Sequence, residues 1–258
     1  MKIAQIKAKI ISNKRLKRNY WHLEFESSII ANNAQPGQFV NIKVSDGLEP
    51  LLRRPISIHG VKGSTVKLFY EVLGKGTQAL SARKPKEFLD IIGPLGNGFG
   101  YKQLAKAGKA KNILIAGGMG VAPLVFLAEK IKPVKPLVLI GARTKNQILC
   151  MPEFKSLGCT LELATDDGSA GFKGRVTDLL KIVLEQAKPV RLFSCGPHPM
   201  LKTIARIAHE NNINAQLSLE EHMACGIGAC LGCVVSTKDG YKRVCKEGPV
   251  FSSEELIW

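Results

Sequence analysis

The chain has 258 residues, of which 45% are apolar, enough for the cores of two compact domains and a small appendage. Its formal net charge of +16 could indicate nucleic acid, but the basic residues are scattered and no aromatic-basic recognition motif accompanies them, so we predict no nucleic-acid partner. No apolar run follows the first basic residues, and the uncharged stretch 112–128 contains a glycine cluster and a proline. We therefore expect a cytoplasmic protein with free thiols and no membrane span.

Residues 1 to about 100 contain short apolar runs separated by turn residues. The runs "YWHLEFES", "GQFVNIKV", "PISIHGV" and "TVKLFYEV" alternate with period two, and Gly, Pro, Asn or Asp lies between them. This pattern predicts a small antiparallel β-barrel in a first domain, 1–100. Within it, "LLRRPISI" places Arg54 near Pro55 and Ser57, and an arginine beside a hydroxyl can hold a phosphate and a polar ring atom. Considered alone, this stretch is explained better as an edge strand with a surface arginine.

The pattern of apolar residues changes at about residue 111. The runs "KNILIAGG", "PLVLIGA", "TLELATDDG" and "VRLFSCGP" look like buried strands, and helical patterns such as "APLVFLAEKI" and "VTDLLKIVLEQA" lie between them. This alternation is typical of a parallel α/β sheet, and it predicts a second domain, 101–215.

Two strand ends in this second domain are candidate ligand sites. In "ILIAGGMGVAPL", Gly118 and Gly120 form a turn that leads into a helix, where backbone N–H groups and the helix dipole suit a pyrophosphate. The pattern is G-x-G-x-x-P rather than the usual G-x-G-x-x-G, so a turn that serves packing alone is as good an explanation. The second strand end carries Cys195, Gly196 and Pro197 at the sheet edge where ligands of open α/β sheets bind.

Four of the seven cysteines lie in the segment 216–258, which we predict to be a third, small domain. Their spacing is C-x4-C-x2-C-x11-C, and its first three positions match the plant-type [2Fe–2S] pattern. Gly226, Gly228 and Gly232 suit a tight cluster loop because glycine allows positive φ and lets N–H groups point at sulfur. A zinc site, and with it a zinc-bearing nucleic-acid-binding protein, is the competing interpretation, but only one short C-x2-C pair is present.

Taken together, these motifs resemble those of the ferredoxin–NADP reductase superfamily. The resemblance rests on an RPxS-type strand, "LGKGT", "GPLGNGF", the GxGxxP turn and "CGP". The stretches "RRPISI", "ATDDGSAGFKGRVTDLL", "MACGIGACLGCVV" and "VCKEGPVF" are similar to those of electron transfer subunits of dihydroorotate dehydrogenase B, across essentially the whole chain. The resemblance implies an antiparallel FAD-binding barrel, a parallel-sheet α/β domain that binds a nicotinamide nucleotide, and a C-terminal [2Fe-2S] domain.

The resemblance also assigns site residues. Arg54 and the Gly76–Thr77 backbone would hold phosphate, and Ser57 would face the ribityl chain or the ring of the flavin. The residues implied for FAD are Arg54, Pro55, Ile56, Ser57, Phe69, Tyr70, Glu71, Gly76 and Thr77. Those implied for the nicotinamide nucleotide are Gly118, Gly120, Cys195, Gly196 and Pro197, and those implied for the cluster are Cys225, Cys230, Cys233 and Cys245.

The function implied is an oxidoreductase subunit in pyrimidine (UMP) biosynthesis. Electrons from the FMN of a separate dihydroorotate dehydrogenase catalytic subunit would pass through [2Fe-2S] and FAD to NAD+, in a heterotetramer of two chains of each kind. Flavin converts between one-electron and two-electron carriers. We expect no catalytic residue for orotate chemistry in this chain. The alternative is a flavin/iron–sulfur subunit of a hydrogenase, sulfide dehydrogenase or ferredoxin:NADP oxidoreductase.

Two features depart from the expected pattern. The gap between the third and fourth cysteines is short for these subunits. The dinucleotide rule also expects an acid about 20 residues beyond the glycines, at the end of the second strand. That strand is followed by Arg143 and Lys145, whose charge favours the 2′-phosphate of NADP, whereas the resemblance implies NAD.

Overall fold

The computed structural model describes residues 3–102, 104, 110–187 and 189–258. The chain divides into two compact units. Unit 1 contains Met1–Gly98, Glu221–Val235 and Tyr241–Pro249, and unit 2 contains Phe99–Glu220, Ser236–Gly240 and Val250–Trp258. The segment 216–258 thus contributes to both units. The boundaries of three cofactor-binding domains stay a prediction.

Unit 1 is built around a closed antiparallel barrel of six strands, as the alternating runs predict. The strands, adjacent in the order β1-β2-β5-β4-β3-β6, are β1 (Ala4–Lys17), β2 (Tyr20–Glu26), β3 (Phe39–Lys43), β4 (Arg54–Lys62), β5 (Thr65–Glu71) and β6 (Phe88–Leu95). Leu23 and Phe25 of β2 and Leu68 of β5 are fully buried. Their neighbours along the strands, Glu24 and Lys67, are not. The core therefore lies inside the barrel, on one face of each strand.

Two short helices belong to unit 1. Helix α1 (Ser28–Asn33) begins after Ser27, whose hydroxyl accepts a hydrogen bond from the N–H of Ile30 at 3.2 Å. Helix α2 (Lys75–Ala82) begins after Gly74. Its first turn lies beside Arg54, which makes it part of the candidate site described below.

Unit 2 is a mostly parallel sheet, as the alternation of strands and helices predicts. Its parallel strands are β7 (Lys111–Gly117), β8 (Leu137–Ala142), β9 (Thr160–Thr165), β10 (Phe172–Lys173), β11 (Val190–Cys195) and β12 (Ala215–Ser218). Central strands such as β7 and β8 are continuous apolar runs because helices cover both faces of such a sheet. The helices are α3 (Val121–Lys130), α4 (Met151–Ser156), α5 (Val176–Gln186) and α6 (His198–Glu210).

The C-terminal segment forms a hairpin and one further strand. The hairpin strands are β13 (Val234–Thr237) and β14 (Gly240–Arg243), and β15 (Val250–Ser252) then pairs antiparallel with β12 at the edge of the sheet. The full sheet order is β10-β9-β8-β7-β11-β12-β15. The chain therefore returns from the cysteine segment to complete the sheet of unit 2.

The uncharged stretch 112–128 folds as a buried strand, a turn and a buried helix. It comprises most of β7, a 3₁₀ turn at Gly118–Gly120 and most of α3. Within the described ranges, no helix has both the length and the apolar character needed to cross a membrane.

Candidate functional site

The barrel wall opens locally at the strand that carries the "RPIS" motif. Strand β4 pairs with β3 over Arg54–Ser57, but it pairs with β5 only from Ile58 onward. Over Phe69–Glu71, β5 in turn pairs only with β2. Pro55 is tolerated in a barrel strand because it has a neighbour on one side only, as at a sheet edge. The two predicted flavin segments therefore line the two sides of one gap.

Arg54 and Gly76 meet at the first turn of α2. A Cβ built on Gly76 would lie 2.0 Å from Nε of Arg54, so the guanidinium occupies that space. Thr77 fixes the turn, because its Oγ1 accepts hydrogen bonds from the N–H groups of Leu73 (3.0 Å) and Gly74 (3.3 Å). The first N–H groups of a helix have no partner within it, and the dipole there is positive. With the guanidinium beside them they form a cradle that fits a phosphate.

The three flavin residues predicted on β5 differ in what their side chains contact. Tyr70 is buried in the barrel, where its hydroxyl donates to Oδ1 of Asn13 at 3.0 Å, and burial raises its pKa. Phe69 and Glu71 face the opposite side of the strand, and the ring of Phe69 lies 5.6 Å from that of His59. Tyr70 is therefore held by the core and is available to a ligand only through its backbone. Pro55, Ile56 and Ser57 are half-buried at the gap.

The predicted nucleotide residues of unit 2 lie together at the carboxyl ends of β7 and β11. A Cβ on Gly120 would lie 1.9 Å from the carbonyl oxygen of Cys195 and 2.8 Å from the nitrogen of Gly196. Gly118 has a φ of +54°. The order of the sheet reverses between β7 and β11, which is where ligands of open α/β sheets bind. The glycine turn, Cys195, Gly196 and Pro197 therefore share one edge with the geometry of a nucleotide site.

Cys195 is a buried thiol that stays protonated. Burial and the carboxylate of Glu220 raise its pKa, and a hydrogen bond with Ser218 opposes them only partly. Sequence reasoning missed Ser218 and Glu220. The available signal was their position at and just beyond the end of β12, which lies next to β11.

The loop after β9 brings two acids next to the end of β8, where the dinucleotide rule expects one. The N–H groups of Asp166 and Asp167 donate to the carbonyl oxygens of Ala142 (3.1 Å) and Arg143 (3.3 Å). The carboxylate of Asp167 accepts from the N–H of Ser169 at 2.9 Å. Two acids therefore lie beside Arg143, where sequence reasoning found only cations.

The four motif cysteines are all in unit 1, in the part of the chain that the structure describes. Cys225 hydrogen-bonds with Cys230, and Cys233 with Cys245, but no three of the four sulfurs lie within 4.8 Å of one another. A single tetrahedral zinc ion, with Zn–S distances of about 2.3 Å, would bring all four sulfurs to about 3.8 Å from each other. Two close pairs fit the two irons of a [2Fe–2S] cluster better.

Backbone N–H groups point at the cysteine sulfurs. The N–H groups of Ala229 (3.3 Å) and Cys230 (3.5 Å) donate to Sγ of Cys225. Burial would raise the pKa of Cys225, but these bonds and one from the Ile227 N–H outweigh it and lower the pKa to about 6. The thiolate is the form that binds metal, and these N–H groups favour it at Cys225, whereas burial and Cys233 raise the pKa of Cys245.

Two of the three loop glycines behave as predicted. Gly226 (φ +71°) and Gly228 (φ +87°) are left-handed, and a Cβ on Gly226 would lie 2.4 Å from Nδ2 of Asn41. The prediction for Gly232 is wrong. The left-handed residue there is Leu231, with a φ of +57°, and a Cβ on Gly232 would make only an ordinary contact with Sγ of Cys230 at 3.5 Å.

Comparison with known proteins agrees with this geometry. The model of the iron-sulfur cluster binding domain of dihydroorotate dehydrogenase B matches residues 220–257, and that of the oxidoreductase NAD-binding domain matches residues 114–206. The electron transfer subunit of dihydroorotate dehydrogenase B (NAD(+)) from Desulforamulus reducens is 42% identical over 97% of both chains. The chain belongs to this family. The electron transfer subunit from Caldanaerobacter subterraneus is 37% identical over 98% of this chain and 99% of its own.

Solved structures support the same fold. The structure of an NADH-dependent reduced ferredoxin-NADP oxidoreductase superposes with a TM-score of 0.84 and 29% identity, over 99% of this chain and 91% of the other. A ferredoxin NADP+ reductase from Neisseria gonorrhoeae with bound FAD and NADP superposes with a TM-score of 0.65 and 16% identity, over 80% of this chain and 91% of the other. At that identity the likeness shows the fold alone. The resemblance inferred from the sequence and the predicted fold class are both confirmed.

Proposed function

We propose that this chain is the electron transfer subunit of a dihydroorotate dehydrogenase of the NAD+ type, in pyrimidine biosynthesis. It receives electrons from the FMN of a separate catalytic subunit through a [2Fe-2S] cluster and FAD, and it delivers them to NAD+. The complex is a heterotetramer of two chains of each kind, in the cytoplasm. Four cysteines assigned to iron and three further free thiols suit a reducing compartment. The named relatives, which match over nearly their whole length, support the proposal.

One contact supports the proposal that the cluster lies close to the flavin. Nδ2 of Asn41 donates to the carbonyl oxygen of Cys225 at 3.2 Å, and Asn41 is also the cross-strand partner of Pro55. The cluster loop is therefore fastened to the same strand pair that borders the gap in the barrel. A group held by the cysteines and a flavin held in the gap would be neighbours.

The residues of unit 1 would bind and orient the [2Fe-2S] cluster and FAD. Cys225, Cys230, Cys233 and Cys245 supply four thiolates, two for each iron. Arg54 and the N–H groups of Gly76 and Thr77 hold the phosphate of FAD. Pro55, Ile56, Ser57 and the Phe69–Glu71 backbone line the gap for its ring. Flavin chemistry supplies the conversion between single-electron and hydride transfer.

In unit 2, the turn Gly118–Gly120 and the edge Cys195–Pro197 hold the nicotinamide nucleotide. The N–H groups at the start of α3 would bind its pyrophosphate. Cys195 keeps its proton, since burial and Glu220 raise its pKa, and it therefore fills the end of β11 as a neutral group rather than as a nucleophile. The acids Asp166 and Asp167 favour a ribose with a free 2′-hydroxyl over one with a 2′-phosphate.

A second candidate has a specific observation in its favour. The NADH-dependent ferredoxin-NADP oxidoreductase superposes over nearly the whole chain, so an equivalent role as a reductase subunit would use the same cofactors with another partner. The two candidates differ only in the source of electrons.

The test is purification of the native complex from its own cell extract, followed by an assay of dihydroorotate-dependent reduction of NAD+ and, separately, of NADP+. The proposal predicts a coloured complex that contains a second, FMN-bearing chain and reduces NAD+. A coloured complex that does not respond to dihydroorotate would favour the second candidate. A colourless protein would contradict both.

A further inference from the structure

Arg243 joins the two parts of the cysteine motif. It lies at the end of β14, two residues before Cys245. Its Nη1 donates to the carbonyl oxygen of Gly228 at 2.7 Å, inside the loop that carries the other three cysteines. The other two guanidinium nitrogens donate hydrogen bonds to Glu247, Nε to Oε2 at 2.9 Å and Nη2 to Oε1. One planar side chain therefore links the loop to the segment around the fourth cysteine.

Hydrogen bonds also hold the backbone of Arg243. The N–H of Arg243 also donates to Oε2 of Glu247 at 2.8 Å. The carbonyl oxygen of Arg243 accepts from the N–H groups of Lys246 (3.1 Å), Glu247 (2.9 Å) and Gly248 (3.2 Å). The turn that presents Cys245 is thus folded around the backbone of Arg243, and the direction of the guanidinium is fixed at both of its ends.

The Gly228 carbonyl belongs to a peptide unit whose other end faces a cysteine sulfur. The N–H of the same peptide, that of Ala229, donates to Sγ of Cys225 at 3.3 Å. The φ of Gly228 is +87°, and a Cβ there would lie 2.7 Å from Cδ of Lys246, so the peptide sits close to the Cys245 turn. Because a peptide is planar, holding its oxygen also fixes the direction of its N–H.

We propose that Arg243 is a positioning residue for the cluster: it holds the Gly228–Ala229 peptide so that the N–H points at the Cys225 sulfur, and it closes the loop onto Cys245. The inference rests on the proposed ligand set. Hydrogen bonds to cluster sulfurs stabilise the more negative, reduced state and so raise the reduction potential. Arginine is required because lysine has no fork with which to bind the Gly228 carbonyl and both Glu247 oxygens in one plane.

The test compares Arg243→Lys and Arg243→Gln with the wild-type chain after anaerobic purification. Two quantities are measured: the midpoint potential of the cluster by EPR-monitored titration, and the rate at which a chelator removes iron. Arg243→Lys keeps the positive charge and loses the fork. We expect both variants to have a lower potential and to lose iron about ten-fold faster, as for one lost charge-assisted hydrogen bond. Arg206→Lys, at an exposed i,i+4 pair with Glu210 on α6, is the matched control and should leave both quantities unchanged.

The outcomes separate position from charge. If Arg243→Gln alone lowers the potential while Arg243→Lys matches the wild-type chain, Arg243 acts by charge, and the positioning role is overturned. Glu247→Gln gives an independent check, because it leaves the arginine in place but weakens its anchor, and it should shift both quantities in the same direction as Arg243→Lys. A wild-type chain without a cluster would overturn the proposed function and this inference together. A wild-type cluster that Arg243→Lys holds equally well overturns this inference alone.

Discussion

The guanidinium of Arg54 occupies the space in which a side chain on Gly76 would begin, with 2.0 Å between Nε and the position of a Cβ. Strand β4 and helix α2 are in contact there through the Arg54 side chain and the backbone of Gly76. This relationship explains why a glycine stands in the first turn of α2, where its φ requires none. The close approach would let the helix N–H groups and the guanidinium bind the same phosphate of FAD.

Gly76→Ala should therefore lower the affinity for FAD without unfolding the barrel. The methyl group would displace the end of a flexible side chain, which changes the free energy of unfolding little. We expect the Kd for FAD to rise about ten-fold, the equivalent of one weakened charge-assisted hydrogen bond. Fluorescence titration of the apoprotein with FAD measures it. Gly47→Ala is the control, because no atom lies within 4 Å of a Cβ there, and equal FAD affinities for all three proteins would contradict the cradle.

The sequence was sufficient for features that depend on local pattern. Alternation in "YWHLEFES" and "TVKLFYEV" predicted the barrel strands, because a strand buried on one face alternates apolar and polar residues. Continuous apolar runs predicted β7, β8 and β11, because a strand buried on both faces is apolar throughout. The cysteine spacing likewise predicted a loop whose residues Gly226 and Gly228 have positive φ. In each case the determining residues are close together along the chain.

Features that depend on pairing between distant strands could not be predicted in this way. Tyr70 at the flavin stays a prediction, but the hydrogen bond of its hydroxyl to Asn13, 57 positions away, was not visible in the sequence. The acids of the β9 loop were seen in the sequence, yet their place beside Arg143 follows from the adjacency of β8 and β9. Pro55 fits its strand because β5 diverges from β4 at that point. Strand order and divergence are set by packing, which a single sequence does not display.

Gly120→Ala should destabilise unit 2, because its Cβ would meet backbone rather than a movable side chain. The nearest atom is the carbonyl oxygen of Cys195, 1.9 Å away. Overpacking of this kind costs about 1–3 kcal/mol. We expect a loss of this size in urea-induced unfolding and weaker binding of NADH. Gly100→Ala, where the nearest atom is a Gln216 side-chain nitrogen at 3.4 Å, should change neither, and an unaffected Gly120→Ala variant would show that the turn can open.

Replacing both acids of the β9 loop should relax the choice of nucleotide. In the double variant Asp166→Asn and Asp167→Asn, two negative charges beside Arg143 are removed, so a 2′-phosphate is no longer repelled. We expect the KM for NADPH to fall about ten-fold and the KM for NADH to change little. Steady-state reduction of an artificial acceptor measures both without the partner subunit. Asp178→Asn, an exposed acid on α5, serves as the control, and an unchanged ratio would place the selectivity elsewhere.

The Arg53–Asp90 pair predicts a pH-dependent stability of the barrel. Burial alone would raise the pKa of Asp90, but hydrogen bonds from Arg53 and Gln5 and the charge of Arg53 outweigh it and lower the pKa below 3.8. A lowered pKa stabilises the fold above the ordinary value and loses that effect as pH falls through the lowered one. Asp90→Asn should therefore cost about 1 kcal/mol at pH 7 and progressively less below pH 4. Urea unfolding between pH 7 and pH 3 tests this, with the exposed Asp46→Asn as control. A difference that persists at pH 3 would point to packing.

The exposed apolar residues of the cysteine loop and of the β13–β14 hairpin that follows it should bind the catalytic subunit. Ile227, Leu231 and Tyr241 are 49%, 61% and 79% exposed, and an apolar surface at the cysteine loop suits an interface through which electrons reach a cluster. Tyr241→Ala removes an exposed ring from the hairpin without disturbing a cysteine. If the tyrosine is a central contact, the Kd for the catalytic subunit should rise about ten-fold or more, while reduction of the isolated chain by NADH is unchanged. Leu16→Ala on β1, 58% exposed, is the matched control. Equal affinities for wild type and Tyr241→Ala, measured by surface-immobilised binding, would move the interface away from this hairpin.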